Sequence, residues 1–283
     1  MNTEISQAVR TASPKDDRIF LSTRLIAAVV VPFLVLAFII LYITPDQSGQ
    51  RFAWEIKPRV MAMFIGAGYL GGSFLFVNAI FGRRWHRVAP GIPAVTAFTI
   101  GMLLATVLHW SRFDVRHFPF QLWLGLYIVT PFLVPWMGWR NHASDSGAPE
   151  VNDQAVPPLA RYALSALGVV LLLFAVGAFI SPAFLQRIWP WTLTPLTARI
   201  LGGWLALLGT GGVAIGRERR WSAWRVGLGS IGLWHALVLL AAALNPGDFT
   251  QGYPFNWYLV SIALVLLGMA AVFVYMETRK PKA

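Results

Sequence analysis

Eight long runs of apolar residues constrain the fold of this chain more than any other feature of its sequence. They occupy residues 23–44, 58–81, 90–110, 120–139, 159–180, 195–215, 222–244 and 255–275. A helix of roughly 20 residues is long enough to cross a hydrocarbon core of about 30 Å. Hydrophobic residues make up 57% of the chain and charged residues only 12%, too few to cover a soluble core. The sequence therefore predicts an all-α polytopic membrane protein with eight transmembrane helices.

The distribution of basic residues predicts how the chain is oriented in the membrane. The formal net charge is +11, and most of the 23 Lys and Arg residues fall in the tails or in loops on the side of the tails. Because Lys and Arg collect in cytoplasmic loops of membrane proteins, we expect both termini to be cytoplasmic. The pattern predicts a multi-pass protein of the plasma (inner) membrane, of bacterial type, with the lipid bilayer as a partner and no nucleic acid.

Four short segments recur in the same order at a nearly constant separation along the chain. The pairs are 52–58 with 189–195, 66–69 with 203–204, 83–85 with 219–221 and 118–123 with 253–257. Each half contains four spans, an even number, so the sequence predicts a tandem parallel repeat of four helices. The predicted order is a cytoplasmic tail (1–22), a first four-helix half (23–139), a cytoplasmic linker (140–158), a second four-helix half (159–276) and a cytoplasmic tail (277–283).

Glycine and tryptophan have different predicted roles in the spans. Residues 66–71 satisfy the dinucleotide pattern G-x-G-x-x-G, but they lie within a span, where helix hydrogen bonds already use the backbone amides. Gly68 and Gly72, like Gly212 and Gly216, are instead spaced for close helix packing. Eight of the 13 tryptophans stand at predicted span ends, where interfacial anchoring is expected: Trp54, Trp85, Trp110, Trp139, Trp189, Trp191, Trp221 and Trp257.

No cofactor or metal is predicted. The chain has no cysteine, which excludes disulfides, iron–sulfur clusters and Cys-ligated zinc. His109 near the end of the third span and His235 within the seventh are the two histidines considered as haem ligands. Neither has a histidine at the matching position of the other half, so a haem is not expected at these residues.

Two basic clusters lie at matching turns on the side of the tails. Anionic lipid headgroups are candidate partners for their arginines, with about 1 kcal/mol for each charge near the surface. The alternative is that these charges only determine topology. The arginines concerned are Arg83, Arg84, Arg87, Arg217, Arg219 and Arg220.

A polar cluster is predicted at the other membrane face. Arg199 lies in the first turns of the sixth span, where an arginine needs a partner. The matching loops after the third and seventh spans carry the acidic candidates. The candidate site consists of Glu55, His109, Asp114, Arg199 and Asp248. The alternative is that these residues only tie loops to helix ends.

The sequence contains no complete catalytic, nucleotide or metal motif, and we do not expect an enzyme. All twelve acidic residues lie in tails, loops or span ends, whereas ion-coupled transport uses acids within spans. The leading hypothesis is binding or transport of a small apolar or lipid-like molecule. The alternative is a non-catalytic structural or assembly subunit of a larger membrane complex, with other membrane subunits as partners.

Overall fold

The computed structural model describes residues 15–250 and 252–279, and eight helices in this part of the chain are long and apolar enough to cross a membrane. They are α1 (Leu21–Phe38, continued by a π-helical turn at Ile39–Ile43), α2 (Arg59–Phe81), α3 (Gly91–Leu108), α4 (Phe118–His142), α5 (Pro158–Ile180), α6 (Pro195–Arg217), α7 (Trp221–Leu244) and α8 (Trp257–Thr278). The described residues form no β-strand. The predictions of an all-helical fold and of a multi-pass membrane protein are confirmed.

Short helical segments make up much of the connections between these helices. They are Pro45–Gln47, Ser48–Arg51, Trp85–Arg87, Trp110–Arg112, Pro182–Ile188 and Pro246–Asp248. We call the end of the bundle with the α2–α3, α4–α5 and α6–α7 connections the terminal face, and the other end the opposite face. Residues 1–14 of the first predicted tail and residues 280–283 of the second lie outside the described residues.

Local sequence signals explain where several helices begin. Proline is the first residue of α5 and of α6, a position where its missing N–H costs nothing. Thr194 caps α6 in a reciprocal arrangement with Thr197, so that each side chain accepts a bond from the other residue's backbone amide. The side chain of Asn256 accepts from the amide of Leu259 at 3.0 Å and caps α8.

Two arginines satisfy the last carbonyls of the central helices. Arg24 of α1 donates from its guanidinium to the carbonyls of Ile80 and Gly82 at the end of α2. Arg161 of α5 donates in the same way to the carbonyls of Arg217 and Glu218 at the end of α6, each at 3.0 Å. A positive group is favourable there because the carbonyls in the last turn of a helix lack internal partners.

The central helices are α2 and α6, which are the most buried of the eight. α2 packs against α1 and α7, and α6 packs against α5 and α3. The remaining main pairs are α3 with α4 and α7 with α8. The contacts therefore cross the middle of the chain, since α3 packs on a helix of the second half and α7 on a helix of the first.

Glycines allow the closest of these helix contacts. A Cβ on Gly209 of α6 would lie 2.8 Å from the carbonyl oxygen of Gly168 in α5, and one on Gly168 would lie 2.7 Å from the carbonyl oxygen of Gly209. Close packing also occurs at Gly212 and Gly216, as their spacing predicts. Gly68 of α2 instead makes room for an aromatic ring of α6, that of Trp204.

The expected interfacial anchoring of tryptophan is wrong for most of the residues concerned. Three of the eight are well exposed at span ends: Trp110, Trp139 and Trp257. The other five are buried in the protein: Trp54, Trp85, Trp189, Trp191 and Trp221. The loops at both faces fold over the helix ends, so these rings pack against other side chains rather than against lipid headgroups.

Candidate functional site

The structure brings two residues of the predicted polar cluster into contact. His109 follows the last residue of α3, and Arg199 lies in the second turn of α6. The Nη1 of Arg199 lies 2.8 Å from Nε2 of His109, and its Nε donates to the carbonyl oxygen of Phe179 in α5 at 3.2 Å. Burial and the positive charge of Arg199 lower the pKa of His109, which suits a neutral ring that accepts this bond.

The three carboxylates of that cluster lie elsewhere on the opposite face. Asp248 accepts from the backbone amide of Val60 at 2.8 Å and stabilises the first turn of α2. Glu55 pairs with Lys57 at 2.7 Å, and both are exposed. The side chain of Asp114 accepts from the backbone amide of Arg116 in the same loop. Among the described residues, none of the three bonds to His109 or Arg199.

A first apolar cavity lies between α1, α2, α3 and α4. Its volume is about 200 Å³, and aromatic rings of α6 and α7 close one side. The hydroxyls of Tyr69 and Tyr127 bond to each other at 3.0 Å. Those of Thr99, Thr130 and Ser230 donate to backbone carbonyls at distances of 2.7 to 3.0 Å. Every side-chain hydroxyl that lines this cavity therefore has a partner within the protein, although the tyrosine pair uses only one of its two hydroxyl hydrogens.

A second apolar cavity, of about 220 Å³, lies between α5, α6, α7 and α8. His235 of α7 and Tyr258 of α8 both line it. The Nδ1 of His235 lies 2.8 Å from the carbonyl oxygen of Ile231. Its Nε2, and the hydroxyl of Tyr258, have no hydrogen-bond partner within residues 15–250 and 252–279. The second cavity therefore carries an open acceptor, Nε2 of His235, beside the hydroxyl of Tyr258 and the unpaired Nε1 of Trp189. In the first cavity the buried side-chain atom without a partner among the described residues is Nε1 of Trp204, which is a donor.

The two cavities are lined at the same spacing along their helices. On α1 the lining residues include 30, 33, 34 and 37, and on α5 they include 167, 170, 171 and 174. On α4 they include 122, 123, 126, 127, 130 and 134, and on α8 they include 257, 258, 261, 262, 265 and 269. Sequence reasoning missed both cavities because their lining residues have the same composition as any helix core.

A buried polar network connects four segments at the terminal face. Asp17 accepts from the backbone amide of His86 at 3.0 Å and from Nδ1 of its ring. Asp153 accepts from the backbone amide of Ser222 at 3.0 Å and from its hydroxyl. The Nε2 of His86 and the Oγ of Ser222 lie 2.8 Å apart and join the two arms. The two arms share one sequence signal, which is that His86 and Ser222 each follow an Arg-Arg-Trp motif.

This network has part of the geometry of a hydrolytic triad but not its chemistry. A nucleophilic serine must be accessible and must pass its proton to a histidine. Ser222 is only 3% exposed, and its hydroxyl donates to Asp153. The arrangement holds the chain before α1, the α2–α3 turn, the α4–α5 linker and the start of α7 together.

The arginines proposed to contact lipid have two different environments. Arg220 pairs with Asp145 at 3.0 Å and with Glu218 at 2.9 Å, and Arg87 pairs with Glu150. The bond from Arg87 holds the pKa of Glu150 below its usual range. The other four are exposed at the terminal face: Arg83, Arg84, Arg217 and Arg219.

Comparison of the chain with protein-family models, with curated proteins and with solved structures finds no match. Among the described residues, no group of three or more His, Asp or Glu side chains is placed to hold a metal ion. The two apolar cavities and the polar contacts at each face are therefore the features from which a function is argued.

Proposed function

We propose that this protein binds, and carries within or across the membrane, a small apolar or lipid-like molecule. The observation that carries the proposal is the pair of apolar cavities of about 200 and 220 Å³ between membrane-spanning helices. Ligand pockets are concave and mostly apolar. An apolar cavity of about 150 Å³ is known to hold a benzene molecule. Each cavity is therefore large enough for a small ring or a short segment of an alkyl chain.

The proposed architecture is a tandem parallel repeat of two four-helix halves with both termini cytoplasmic. The helix pairs support it. α1 packs on α2 as α5 packs on α6, and α3 packs on α4 as α7 packs on α8. Across the two halves, α2 packs on α7 as α6 packs on α3. Matching side chains support it as well. These are Arg24 and Arg161 at the helix ends, Asp17 and Asp153 in the network, and the edge-to-face pairs Trp54–Phe113 and Trp191–Phe249.

In this orientation the terminal face is cytoplasmic, and we place the protein in the inner membrane of a bacterium. The positive-inside bias of the loops supports the cytoplasmic assignment, and the short loops between the spans are the feature that favours a bacterial protein. The four exposed arginines of that face would then lie at the level of anionic headgroups. Arg87 and Arg220 would contribute less, because carboxylates of the protein already pair with them.

The contact between His109 and Arg199 is proposed as the polar part of a site at the opposite face. Glu55, Asp114 and Asp248 belong to the same face and are proposed as its outer acidic groups, although each bonds elsewhere in the structure. The bond between Arg199 and His109 supports a shared role of these two residues. Replacement of Arg199 by Leu tests this role, and unchanged folding and ligand content would remove Arg199 from the site.

The proposal is tested by cavity-filling variants of the purified protein. Leu34→Trp fills the first cavity and Leu171→Trp the second, at matching positions of α1 and α5. Leu25→Trp is the control, because Leu25 is 58% exposed and lines neither cavity. Native mass spectrometry in mild detergent, followed by extraction of bound molecules, measures the ligand content.

We expect the wild type and Leu25→Trp to retain a bound apolar molecule. Leu34→Trp should lose the molecules bound in the first cavity, and Leu171→Trp those bound in the second. A wild-type protein that retains no such molecule, and that instead co-purifies with another membrane protein at fixed stoichiometry, would contradict the proposal. That result would favour the alternative function of a structural or assembly subunit.

A further inference from the structure

The polar groups of the second cavity identify the class of ligand that it accepts. We infer that this cavity takes an apolar molecule with a hydroxyl group, which donates its hydrogen bond to Nε2 of His235. The inference rests on the proposed function, since it names the chemistry of a ligand for the same cavity.

The hydrogen bond from Nδ1 fixes the tautomer of His235. A backbone carbonyl can only accept, so the Nδ1 that lies 2.8 Å from the carbonyl oxygen of Ile231 carries the hydrogen. In a neutral imidazole the other nitrogen is then an acceptor. Among the residues that the structure describes, no acidic side chain lines the cavity, so none of them would offset the cost of a charged ring there. The cavity therefore presents an open acceptor.

An open acceptor selects ligands that bring a donor. An alcohol donates a hydrogen bond, whereas an ether, an ester or a ketone of similar size brings only acceptors. The net strength of an ordinary hydrogen bond corresponds to a preference of about three- to tenfold. An alkane binds without this bond and leaves the histidine nitrogen unpaired.

Tyr258 adds a second polar group at the opposite-face end of the same cavity. It lies in the first turn of α8, and its ring is held by Trp189 at a centroid distance of 4.5 Å and by Trp191 at 5.4 Å. Its hydroxyl can donate or accept. Ser261, one turn further along, already donates to the carbonyl oxygen of Trp257 at 2.6 Å and can only accept. The acceptor of His235 lies deeper than either, on α7.

The first cavity provides a control within the same molecule. Thr99 stands there at the position that matches His235, and its hydroxyl donates to the carbonyl oxygen of Thr96 at 3.0 Å. The hydroxyls of Tyr69 and Tyr127 use each other as partners. The unpaired Nε1 of Trp204 can only donate, and the oxygen of an alcohol and that of its methyl ether accept alike. We therefore expect the first cavity to bind the two molecules equally well.

The experiment uses two photoreactive probes, a 1-decanol that carries a diazirine in its chain and the methyl ether of the same molecule. The full-length protein in lipid nanodiscs is labelled with each probe, and labelled peptides of α1–α4 and α5–α8 are quantified by mass spectrometry. In the wild type we expect the alcohol to label the second cavity about three to ten times more than the ether, and to show no preference in the first.

Two variants connect that preference to His235. His235→Leu should remove it while keeping the labelling, and His235→Gln should restore part of it because the amide oxygen can accept. Thr99→Leu should leave it unchanged. Thermal unfolding of each variant shows whether it is folded, and His235→Gln serves if His235→Leu does not fold.

The outcomes separate this inference from the proposed function. Equal labelling of the second cavity by alcohol and ether would overturn the inference and leave the proposed function standing. A preference that survives in both His235 variants would also overturn it. Labelling of neither cavity by either probe would contradict the proposed function itself.

Discussion

The two apolar cavities are alike in their walls and different in their chemistry. Matching positions of α1 and α5, and of α4 and α8, line them at the same spacing, and their volumes differ by little. In the first, Thr99 and the pair Tyr69–Tyr127 bond within the protein and the unpaired atom is a donor, Nε1 of Trp204, whereas in the second Nε2 of His235 is an open acceptor. The comparison shows that two cavities with matching walls can differ in their hydrogen-bonding groups through single residues.

The largest expected difference is in the free energy of unfolding, between the two arms of the terminal-face network, Asp17 with His86 and Asp153 with Ser222. Asp17 is 4% exposed, and it accepts from both the backbone and the ring of His86. Asp153 accepts the matching bonds from Ser222 but is half-buried. When its carboxylate is removed, water can therefore accept the bonds from Ser222 instead. We expect Asp17→Ala to lower the free energy of unfolding by about 3 kcal/mol, and Asp153→Ala by about 1 kcal/mol.

Chemical unfolding in mixed detergent micelles measures both values. A double variant should lose less than the sum of the single losses, because the two arms meet at one contact between His86 and Ser222. Equal losses for the two aspartates would show that burial does not decide the difference.

The next difference concerns two glycines at matching positions of α2 and α6. A Cβ on Gly209 would meet backbone atoms of α5 at 2.8 and 2.9 Å, whereas a Cβ on Gly72 would meet only a methyl group of Leu34 at 3.6 Å. We expect Gly209→Ala to lower the free energy of unfolding by about 1–3 kcal/mol. Gly72→Ala should change it by less than about 0.5 kcal/mol. The same unfolding assay compares them, and a harmful Gly72→Ala would mean that α1 and α2 pack as tightly as α5 and α6.

A third comparison concerns two carboxylates of the opposite face. Asp248 caps the first turn of α2, while Glu55 pairs with Lys57 in solvent. Asp248→Ala should lower the free energy of unfolding by about 1 kcal/mol, the usual value of a cap, and Glu55→Ala should have almost no effect. Asp248→Asn is the control, because its side-chain oxygen can still accept the bond from Val60. A full loss in Asp248→Asn would attribute the effect to charge instead.

The smallest expected effect is a pH dependence at His109. Burial and Arg199 lower its pKa in the folded protein, so the unfolded chain takes up the proton first as the pH falls. The free energy of unfolding should therefore decrease as the pH drops below about 6.5, the ordinary value for histidine. His109→Asn, which places in the first half the residue found at the matching position 245, should remove this slope. Arg199→Leu should reduce it without removing it, because burial remains.

These slopes follow from thermal unfolding measured between pH 5 and 8, relative to the wild type. An unchanged slope in His109→Asn would assign the pH dependence to another group.

The sequence predicts the eight spans closely because each span needs an apolar run and each connection needs turn residues. The apolar runs locate span ends less closely: α4 continues past the predicted residue 139 to His142, and Asn141 in its last turn bonds to the backbone of Arg18 and Phe20. The approach of His109 to Arg199 is also foreseeable, since both lie at span ends of the same face. The separation of Asp114 from Arg199 is not, because loop paths depend on contacts between distant segments.

The cavities and the terminal-face network are beyond sequence reasoning for different reasons. A cavity is a volume that side chains fail to fill, and single residues such as Leu34 or Val170 carry no sign of it. The network joins four segments that are far apart along the chain, so no local pattern relates Asp17 to Ser222. Interfacial anchoring is wrong for the buried tryptophans because it requires lipid beside each span end, where the fold places other loops.

The pairing of α2 with α7 has a consequence for how the protein is made. α2 is the most buried helix, yet its partner α7 enters the membrane only after the four spans between them have been synthesised. Until then, α2 exposes to lipid, or to the insertion machinery, a surface that is covered in the finished protein. Assembly of the bundle is therefore completed late, and truncated chains that end before α7 should be recognised by membrane proteases as unfinished.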